Sequence, residues 1–363
     1  MNDNTQRKPV IPIFQAIIAA LLFGASAPFA KSLLGDIEPV SLAGFLYLGS
    51  GLILLIIKVV QKANIKNISS EARLERADLG WLAGAILAGG IGAPIVQLFG
   101  LRSTPGATAS LLLNFESVAT TLIAALVFKE QVGRRALRAI LLITLASILL
   151  SVNINQGWGF SIGSLGIIGA CILWGIDNNF TRNISAKNPQ SIVMFKGLIA
   201  GSSSLMLSLI LGNKLPQIGI ILKSLLLGSL SYGVSITLFI RAMRGLGASR
   251  TSALFATSPL AGIVLSFLLL HETPTIMILI AFPLMVLSTL FLVNEEHKHK
   301  HLHPAIFHEH SHRHDDEHHA HIHLEDQKNF QGKYHSHEHE HVGTDHEHEH
   351  MPDIHHRHLH PEN

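Results

Sequence analysis

The sequence almost lacks cysteine, and it contains few charged side chains for a chain of 363 residues. Its single cysteine, Cys171, lies inside an apolar segment, so a disulfide within the chain is excluded. Only 14% of the residues are charged. Residues 1–293 contain 10 acidic and 21 basic side chains, and so few charges exclude an ordinary soluble domain.

Two kinds of catalytic machinery are also missing from the sequence. It contains no glycine-rich nucleotide-binding loop of the P-loop kind, so ATP-driven pumping would require another chain. No cluster of His, Asp and Glu occurs within the apolar segments, which argues against a membrane enzyme. We therefore predict a protein that is not an enzyme, requires no cofactor and binds no nucleic acid.

What the sequence does contain is long apolar runs. Hydrophobic residues make up 48% of the chain, and the mean hydropathy is +0.37 although the C-terminal part is very polar. A membrane-spanning helix needs about 20 apolar residues. Ten segments qualify: 11–34, 39–60, 78–101, 106–128, 136–152, 160–181, 190–211, 220–240, 250–270 and 275–293. Prolines inside four of them predict kinks, since neighbouring helices can satisfy the freed carbonyl groups; these are Pro28, Pro94, Pro259 and Pro283.

Two internal echoes indicate a tandem duplication. At an offset of 151, the sequence repeats Leu22-Phe23-Gly24 and Phe29-Ala30-Lys31 as Leu173-Trp174-Gly175 and Phe180-Thr181-Arg182. At an offset of 142, it aligns Arg102, Ser110, Leu112, Ser117 and Glu130 with Arg244, Ser252, Leu254, Pro259 and Glu272. Because each repeat has five spans, an odd number, the halves insert with opposite orientations, as in many secondary transporters. We predict an all-α membrane protein with ten transmembrane helices in two inverted five-helix repeats, 11–152 and 160–293.

Basic residues are concentrated on one side of this topology, the side of the N-terminal segment 1–10. That side receives Arg7, Lys8, Lys58, Lys62, Lys66, Arg73, Arg76, Lys129, Arg134, Arg135, Arg138, Arg182, Lys187, Arg241, Arg244 and Arg250. The opposite side keeps Arg102 and Lys214, with Lys31 and Lys223 near the ends of spans. The positive-inside rule therefore predicts that both termini are cytoplasmic. We expect a multi-pass protein of the cell membrane, as in a bacterial inner membrane.

One alternative concerns the N-terminus. Arg7 and Lys8, the apolar stretch after them and Ala25-Ser26-Ala27 imitate a cleaved signal peptide. Cleavage there would remove most of the first helix of one repeat, so we favour a retained first span.

The pattern resembles the drug/metabolite transporter superfamily, and within it the EamA-type ten-helix members. The family's Trp-Gly signature in the first helix of each repeat is similar to Phe23-Gly24 and Trp174-Gly175. Its Glu-Pro-Val stretch in the fourth helix is similar to Glu116-Ser117-Val118. Its closing acidic residue is similar to Glu130 and Glu272. The resemblance covers about residues 11–293, and it implies a carrier of amino acids, metabolites, drugs or other small solutes.

The chain departs from the family pattern where the repeats differ. The first repeat keeps the acid and loses the proline (Glu116, Ser117), whereas the second keeps the proline and loses the acid (Ser258, Pro259). The acid in the fourth span is therefore not a by-product of symmetry.

Three charged residues lie well inside predicted spans, where an ionised side chain costs about 2.5–3.5 kcal/mol. Glu116 can carry a proton, bind a cation or pair with a buried base. Asp177 heads the run Asp177-Asn178-Asn179, whose side chains point in three directions on a helix, so at least one packs against a neighbour. Lys196 can counter either acid, bind an anionic group or snorkel toward the cytoplasm.

Neutral side chains complete the candidate pathway. Asn114, Gln97 and Trp174, with Tyr47 and Tyr232, are candidates for a pocket wall, although interhelical packing or interfacial anchoring is the simpler interpretation of each. Lys31 and Arg182 occupy equivalent helix ends, for which we favour headgroup anchoring. Small-xxx-small spacing predicts close helix packing at Gly80/Gly84, Gly159/Gly163 and Gly197/Gly201.

The C-terminal part, 294–363, contains 23 of the 24 histidines and too few apolar residues to form a core. We predict that this tail is disordered and cytoplasmic. Histidine alternates with other residues at His297, His299, His301, His303, His308, His310, His312, His314, His335, His337, His339, His341, His346, His348 and His350. Neutral imidazole suits Zn, Ni and Co, so these residues are candidate metal ligands. The tail therefore predicts divalent-metal binding, for buffering, sensing or delivery, or it is a dispensable extension.

Three functions follow from these features. We favour a secondary carrier that moves a small solute across the bilayer by alternating access, with proton coupling through Glu116 and a metal-binding regulatory or buffering tail. The alternatives are a divalent-metal exporter for Zn, Ni or Co and a non-transporting membrane sensor or store for metal. The sequence leaves substrate, direction and homodimer formation open.

Overall fold

Helices form where the apolar runs occur, because backbone groups inside a bilayer must be hydrogen-bonded within their own segment. The structure is a computed structural model, and it describes residues 10–64, 73–129, 134–153, 159–184, 187–246, 254–255, 257–293, 297–302, 306–312, 335–341 and 345–350. Of the residues singled out above, six lie outside the described residues, as does most of segment 1–10: Lys66, Glu130, Arg250, Ser252, His303 and His314.

In the first repeat, several predicted spans consist of consecutive helical pieces. The helices are α1 (Val10–Gly24), α2 (Ser26–Leu33), α3 (Pro39–Asn64), α4 (Leu79–Ala85), α5 (Ala93–Ser103), α6 (Gly106–Leu112), α7 (Phe115–Val127) and α8 (Arg134–Ser151). A 3-10 turn at Arg76–Asp78 precedes α4. The first span is thus α1 with α2, the third is α4 with α5, and the fourth is α6 with α7.

The second repeat follows the same order. Its helices are α9 (Ile162–Asn183), α10 (Pro189–Ile210), α11 (Ile218–Gly228), α12 (Ser235–Leu246), α13 (Ser258–Leu270) and α14 (Ile276–Val293). A two-residue strand, β1 (Val152–Asn153), pairs with β2 (Gly159–Phe160) and joins the repeats.

Six helical stretches of the described residues are long and apolar enough to cross a membrane. They are Ile11–Leu33, Pro39–Gln61, Arg76–Ser103, Gly106–Val127, Pro189–Ile210 and Ile218–Ala242. Shorter apolar helices occur at Leu137–Ser151, Ser258–Leu270 and Ile276–Ser288, and α9 covers the sixth predicted span. The chain is therefore a multi-pass helical membrane protein, and the full set of ten crossings stays a prediction.

The third span of each repeat is interrupted by a π-helix. These π-helices cover Ile86–Gly92, between α4 and α5, and Ser229–Val234, between α11 and α12. Their first residues, 86 and 229, are 143 positions apart, close to the offset of 142 seen in the sequence. Short π-helical turns occur often at functional sites, and here both repeats carry one at an equivalent place.

Helices of opposite repeats pack closely, and glycine permits this. A Cβ on Gly197 of α10 would lie 2.6 Å from the backbone nitrogen of Gly51 in α3, and one on Gly201 would meet the backbone of Leu48. The packing interpretation is thus confirmed for this pair. It is wrong for Gly80, where an added Cβ would have nothing within 4 Å, although Gly84 contacts Phe180.

The structure describes only parts of the C-terminal segment 294–363, and disorder of this tail stays a prediction. The described parts form four strands, β3 (His297–Leu302), β4 (Ile306–His312), β5 (His335–His341) and β6 (Asp345–His350). β3 pairs antiparallel with β6, and β4 pairs antiparallel with β5.

Candidate functional site

An ion pair between the second repeat's first two helices lies at the centre of the candidate site. Asp177 of α9 is only 2% exposed, and its carboxylate binds the Lys196 ammonium group of α10. Thr181, one turn farther along α9, donates its hydroxyl to Asp177 Oδ1 at 3.0 Å. Lys196 therefore reaches a buried acid and does not snorkel. Of the two acids considered as its partner, Asp177 is the one that it binds.

The Gly89 carbonyl group in the first repeat receives its hydrogen bonds from side chains of other helices. In the π-helix the N–H of Ala93 bonds to Ala88, and the next donor toward Gly89 would come from Pro94, which has no N–H. Two side chains replace it: Tyr47 Oη donates to Gly89 O at 2.7 Å, and Trp174 Nε1 donates at 3.0 Å. The Gly89 carbonyl, freed because Pro94 has no N–H, is thus satisfied by neighbouring helices, as predicted for prolines inside spans.

Gly89 also lets this helix approach the acid. A Cβ at Gly89 would overlap the carboxylate of Asp177. Glycine is therefore required for steric reasons, because the backbone of the first repeat touches the charged group of the second. Sequence reasoning did not identify Gly89, since its neighbours in the sequence are apolar and nothing there marks the approach of another helix.

Glu116 lies close to the same helix but has a different kind of partner. It is in the first turn of α7, and its Oε1 accepts a hydrogen bond from Asn178 Nδ2 at 2.8 Å. Asn178 also donates to Thr120 Oγ1 at 3.1 Å. Among the residues that the structure describes, Glu116 forms no ion pair. Its carboxylate is therefore held by a neutral amide and not neutralised by a base.

The polar run of α9 divides its side chains between two neighbours. Asp177 points to α10, whereas Asn178 and Asn179 point to α7. Asn179 Nδ2 donates to Thr120 O at 3.0 Å and to Gly175 O at 2.8 Å. Asn179 therefore serves packing, and α9 connects Glu116 to the Asp177–Lys196 pair.

The neutral candidates lie in two places. Trp174 is part of the site, since it shares the Gly89 carbonyl with Tyr47. Asn114 lies between α6 and α7, and its Nδ2 donates to Met285 Sδ at 3.2 Å. Gln97 is buried on α5. The roles of these residues in a solute pathway remain predictions.

Aromatic rings extend from the site toward the second π-helix. Tyr47 stacks on Tyr232, with ring centroids 5.7 Å apart, and Phe23 meets Tyr232 edge-on at 6.0 Å. Phe255 contacts Phe23 at 5.2 Å. Because Tyr47 touches the Gly89 carbonyl and Tyr232 lies in Ser229–Val234, these rings connect the two π-helices directly.

Lys31 corrects an interpretation made from the sequence. Its ammonium group donates to the carbonyl groups of Leu101 (2.8 Å) and Thr104 (2.5 Å), where α5 ends. Headgroup anchoring is therefore wrong for Lys31, since carbonyl groups left without partners at a helix C-terminus attract a cation. The sequence places Lys31 near a span end but carries no signal for a helix 70 residues away.

Comparisons with known proteins identify the family. A model of the EamA-like transporter family matches residues 10–152 and 161–294, so it appears twice and covers most of the chain. The chain belongs to the EamA-like transporter family. A relative described as an uncharacterized transporter, from Methanothermobacter thermautotrophicus strain Delta H, is 30% identical over 278 residues, covering 72% of this chain and 80% of its own. One solved crystal structure covers 77% of this chain and 95% of its own with a TM-score of 0.56, and its 18% identity indicates a shared fold alone.

Family membership places this EamA-like chain among membrane transporters of small solutes and supports a transporter over an enzyme. Within the part of the chain whose side chains the structure describes, no group of three His, Cys, Asp or Glu side chains is arranged to hold a metal ion. The chemistry available at the site is therefore that of one ion pair, one acid without a basic partner and several amide and aromatic groups.

Proposed function

We propose that the protein is a secondary carrier whose two inverted halves alternate access to a central site, and that Glu116 couples transport to protons. In this proposal both termini are cytoplasmic, as the distribution of basic residues predicts. The solute passes near α7, α9 and α10, beside the Asp177–Lys196 pair. The substrate class within the family's range of small solutes stays open.

The observation that carries the proposal is the contrast between the two acids inside the predicted spans. Asp177 has a bound base, so its charge is compensated in the resting protein. Among the described residues, Glu116 accepts a hydrogen bond from the Asn178 amide and forms no ion pair, and it belongs to the opposite repeat. A carboxylate without a basic partner inside a membrane protein is stabilised when it takes up a proton or binds a cation. Its position where the halves meet lets the protonation state influence how they pack.

Replacing Glu116 with glutamine tests the coupling. Purified protein in liposomes, with a pH dye inside, is exposed to a panel of amino acids, other metabolites and drugs under an imposed pH gradient. The native protein should move at least one solute together with a proton signal. Glu116→Gln should abolish solute-dependent proton movement, because glutamine accepts the same hydrogen bond from Asn178 but cannot release a proton.

Glu75→Gln is the matched control for this experiment. Glu75 is an exposed acid that pairs with Lys187, so its removal should leave coupling unchanged. If Glu116→Gln moves protons with the solute at the native rate, Glu116 is not the proton-coupling residue. Solute flux alone does not change that conclusion.

The alternative function, in metal export or metal sensing, is favoured by the tail. In the β3–β6 ladder, His297 is opposite His350, His299 is opposite His348 and His301 is opposite His346. Three of the β4–β5 pairs are also His–His: His308 with His339, His310 with His337 and His312 with His335. This supports the proposal that the tail binds Zn, Ni or Co.

A stop after Asn294 separates the metal functions. If the tail regulates or buffers, the truncated protein should lose most zinc binding, measured per mole of purified protein, while its solute flux in liposomes is kept. Zinc entry into liposomes containing a zinc-sensitive dye would instead indicate an exporter. Loss of every metal response with no flux of any solute would favour the sensor or store.

A further inference from the structure

The acid that closes the second repeat reaches across to the first repeat. Glu272, two residues beyond the end of α13 at Leu270, accepts two backbone hydrogen bonds at the start of α6. Gly106 N–H donates to Oε1 at 2.6 Å, and Ala107 N–H donates to Oε2 at 2.9 Å. We call these two bonds the Glu272 contact. Both carboxylate oxygens are used, and both donors are backbone groups that an α-helix leaves without an internal partner.

The Glu272 contact lies at the turn between the third and fourth spans, where charges of opposite sign meet two helix ends. Lys31 binds the last carbonyl groups of α5, and Glu272 binds the first N–H groups of α6. Each charge thus suits the dipole of the helix end that it contacts. The two charged side chains come from different repeats: Lys31 belongs to the same repeat as this turn, and Glu272 belongs to the other.

Next to the Glu272 contact, α6 and α13 pack closely against each other. A Cβ on Gly106 would lie 2.8 Å from Ser266 Oγ of α13, and a Cβ on Gly262 would overlap Ser110 Oγ of α6. Ser110 and Ser266 are buried, and each hydroxyl donates at 2.8 Å to the carbonyl one turn earlier in its own helix. No space for a solute is left between α6 and α13 while the contact is made.

The residue before the closing acid has the same unusual backbone conformation in both repeats. Among the described residues, the non-glycine residues with positive φ are Lys129 (56°) and His271 (51°), a region that such residues rarely adopt. They are 142 positions apart, the offset of the sequence repeat, and each directly precedes the closing acid, Glu130 or Glu272. The left-handed residue ends the helix and turns the chain, so that at His271 the following carboxylate reaches the opposite repeat.

We propose that Glu272 is a gate-positioning residue: the Glu272 contact holds α6 and α13 together and keeps this end of the pathway closed, and its release opens that end. The inference rests on the proposed carrier function. Alternating access requires contacts between the halves that break at one end at a time, and here such a contact is made by one side chain on two backbone donors. The positive-inside rule assigns this end to the outside.

Cysteine labelling tests the gate without any transported solute. The only native cysteine is the buried Cys171, so Cys171→Ala provides a cysteine-free background. One reporter cysteine replaces Ser110 and, in a second protein, Ser266. Each protein is placed in lipid nanodiscs and treated with a membrane-impermeant maleimide. Glu272→Gln should raise the labelling rate of both reporters about tenfold, the change that about 1.4 kcal/mol produces in an equilibrium.

Glu38→Gln is the matched control. Glu38 is an acid at the same end of the bundle that pairs with Arg102 at 2.9 Å inside the first repeat. Its removal should change labelling by less than about twofold. Folded Glu272→Gln protein with the labelling rate of its parent would overturn the proposal, and so would an equal rise in Glu38→Gln.

A purely structural helix cap makes a different prediction from a gate. Loss of a cap lowers the melting temperature but leaves labelling unchanged well below it. If Glu272→Gln does not fold, Glu272→Asp decides in the same way, because its shorter side chain cannot reach both N–H groups and should give an intermediate rise. Reporter labelling needs no flux, so failure of the gate is distinguishable from failure of the carrier proposal.

Discussion

Replacing Lys196 with methionine should lower the free energy of unfolding by about 3–5 kcal/mol, because it leaves the buried carboxylate of Asp177 without a base. Methionine keeps most of the apolar volume of the lysine stem, so the loss reports the charge and its hydrogen bond. The measurement is unfolding of the purified protein in mixed micelles at increasing SDS. We expect solute flux to be lost as well.

Two further proteins show whether the charge is responsible. Asp177→Asn combined with Lys196→Met should recover most of the lost free energy of unfolding, since no buried charge then remains unpaired. Lys58→Met should have almost no effect, because Lys58 is exposed on α3 and donates a hydrogen bond to the Ser191 hydroxyl. A loss in Lys196→Met below about 1 kcal/mol, the value typical of exposed pairs, would mean that the Asp177–Lys196 pair is not buried.

Replacing Gly89 with alanine should also lower the free energy of unfolding by a large amount. The added Cβ would overlap the carboxylate of Asp177, which is fixed by Lys196 and Thr181 and cannot move aside easily. Overpacking of this kind costs about 1–3 kcal/mol and occasionally more, and we expect the upper end of that range. The ion pair should also be displaced, so flux should fall even in protein that remains folded.

Gly80→Ala is the control for this substitution. It lies in α4, in the same predicted span, and an added Cβ would have nothing within 4 Å. Alanine is the better helix former by about 1 kcal/mol, so Gly80→Ala should leave the free energy of unfolding unchanged or raise it. Equal effects at Gly80 and Gly89 in the SDS titration would show that Gly89 is not in contact with Asp177.

Sequence reasoning identified the scaffold because the scaffold is encoded locally. Runs of apolar residues predict helices wherever they occur, and the echo of Phe23-Gly24 in Trp174-Gly175 indicates the duplication without any structural information. It also selected Glu116, Asp177 and Lys196, because a charge inside an apolar run is conspicuous. The structure brings Asp177 and Lys196 together and places Glu116 on the neighbouring Asn178.

What sequence reasoning missed depends on contacts between distant segments. Gly89, Thr181 and the Gly106 and Ala107 N–H groups are ordinary residues in apolar or small-residue stretches, and only the packing of opposite repeats gives them a role. The π-helices have the same origin. Pro94 predicts a kink, but the hydrogen bonds that Tyr47 and Trp174 donate to the Gly89 carbonyl come from helices that are distant in the sequence.

Solute counterflow in liposomes tests the central claim most directly. Liposomes containing the full-length protein are loaded with an unlabelled solute identified from the panel, and a trace of the labelled solute is added outside with no ion gradient. An alternating-access carrier should accumulate label transiently above its external concentration, since each return of the binding site is occupied by unlabelled solute. Label that only equilibrates, or enters no faster than into protein-free liposomes, would contradict the account.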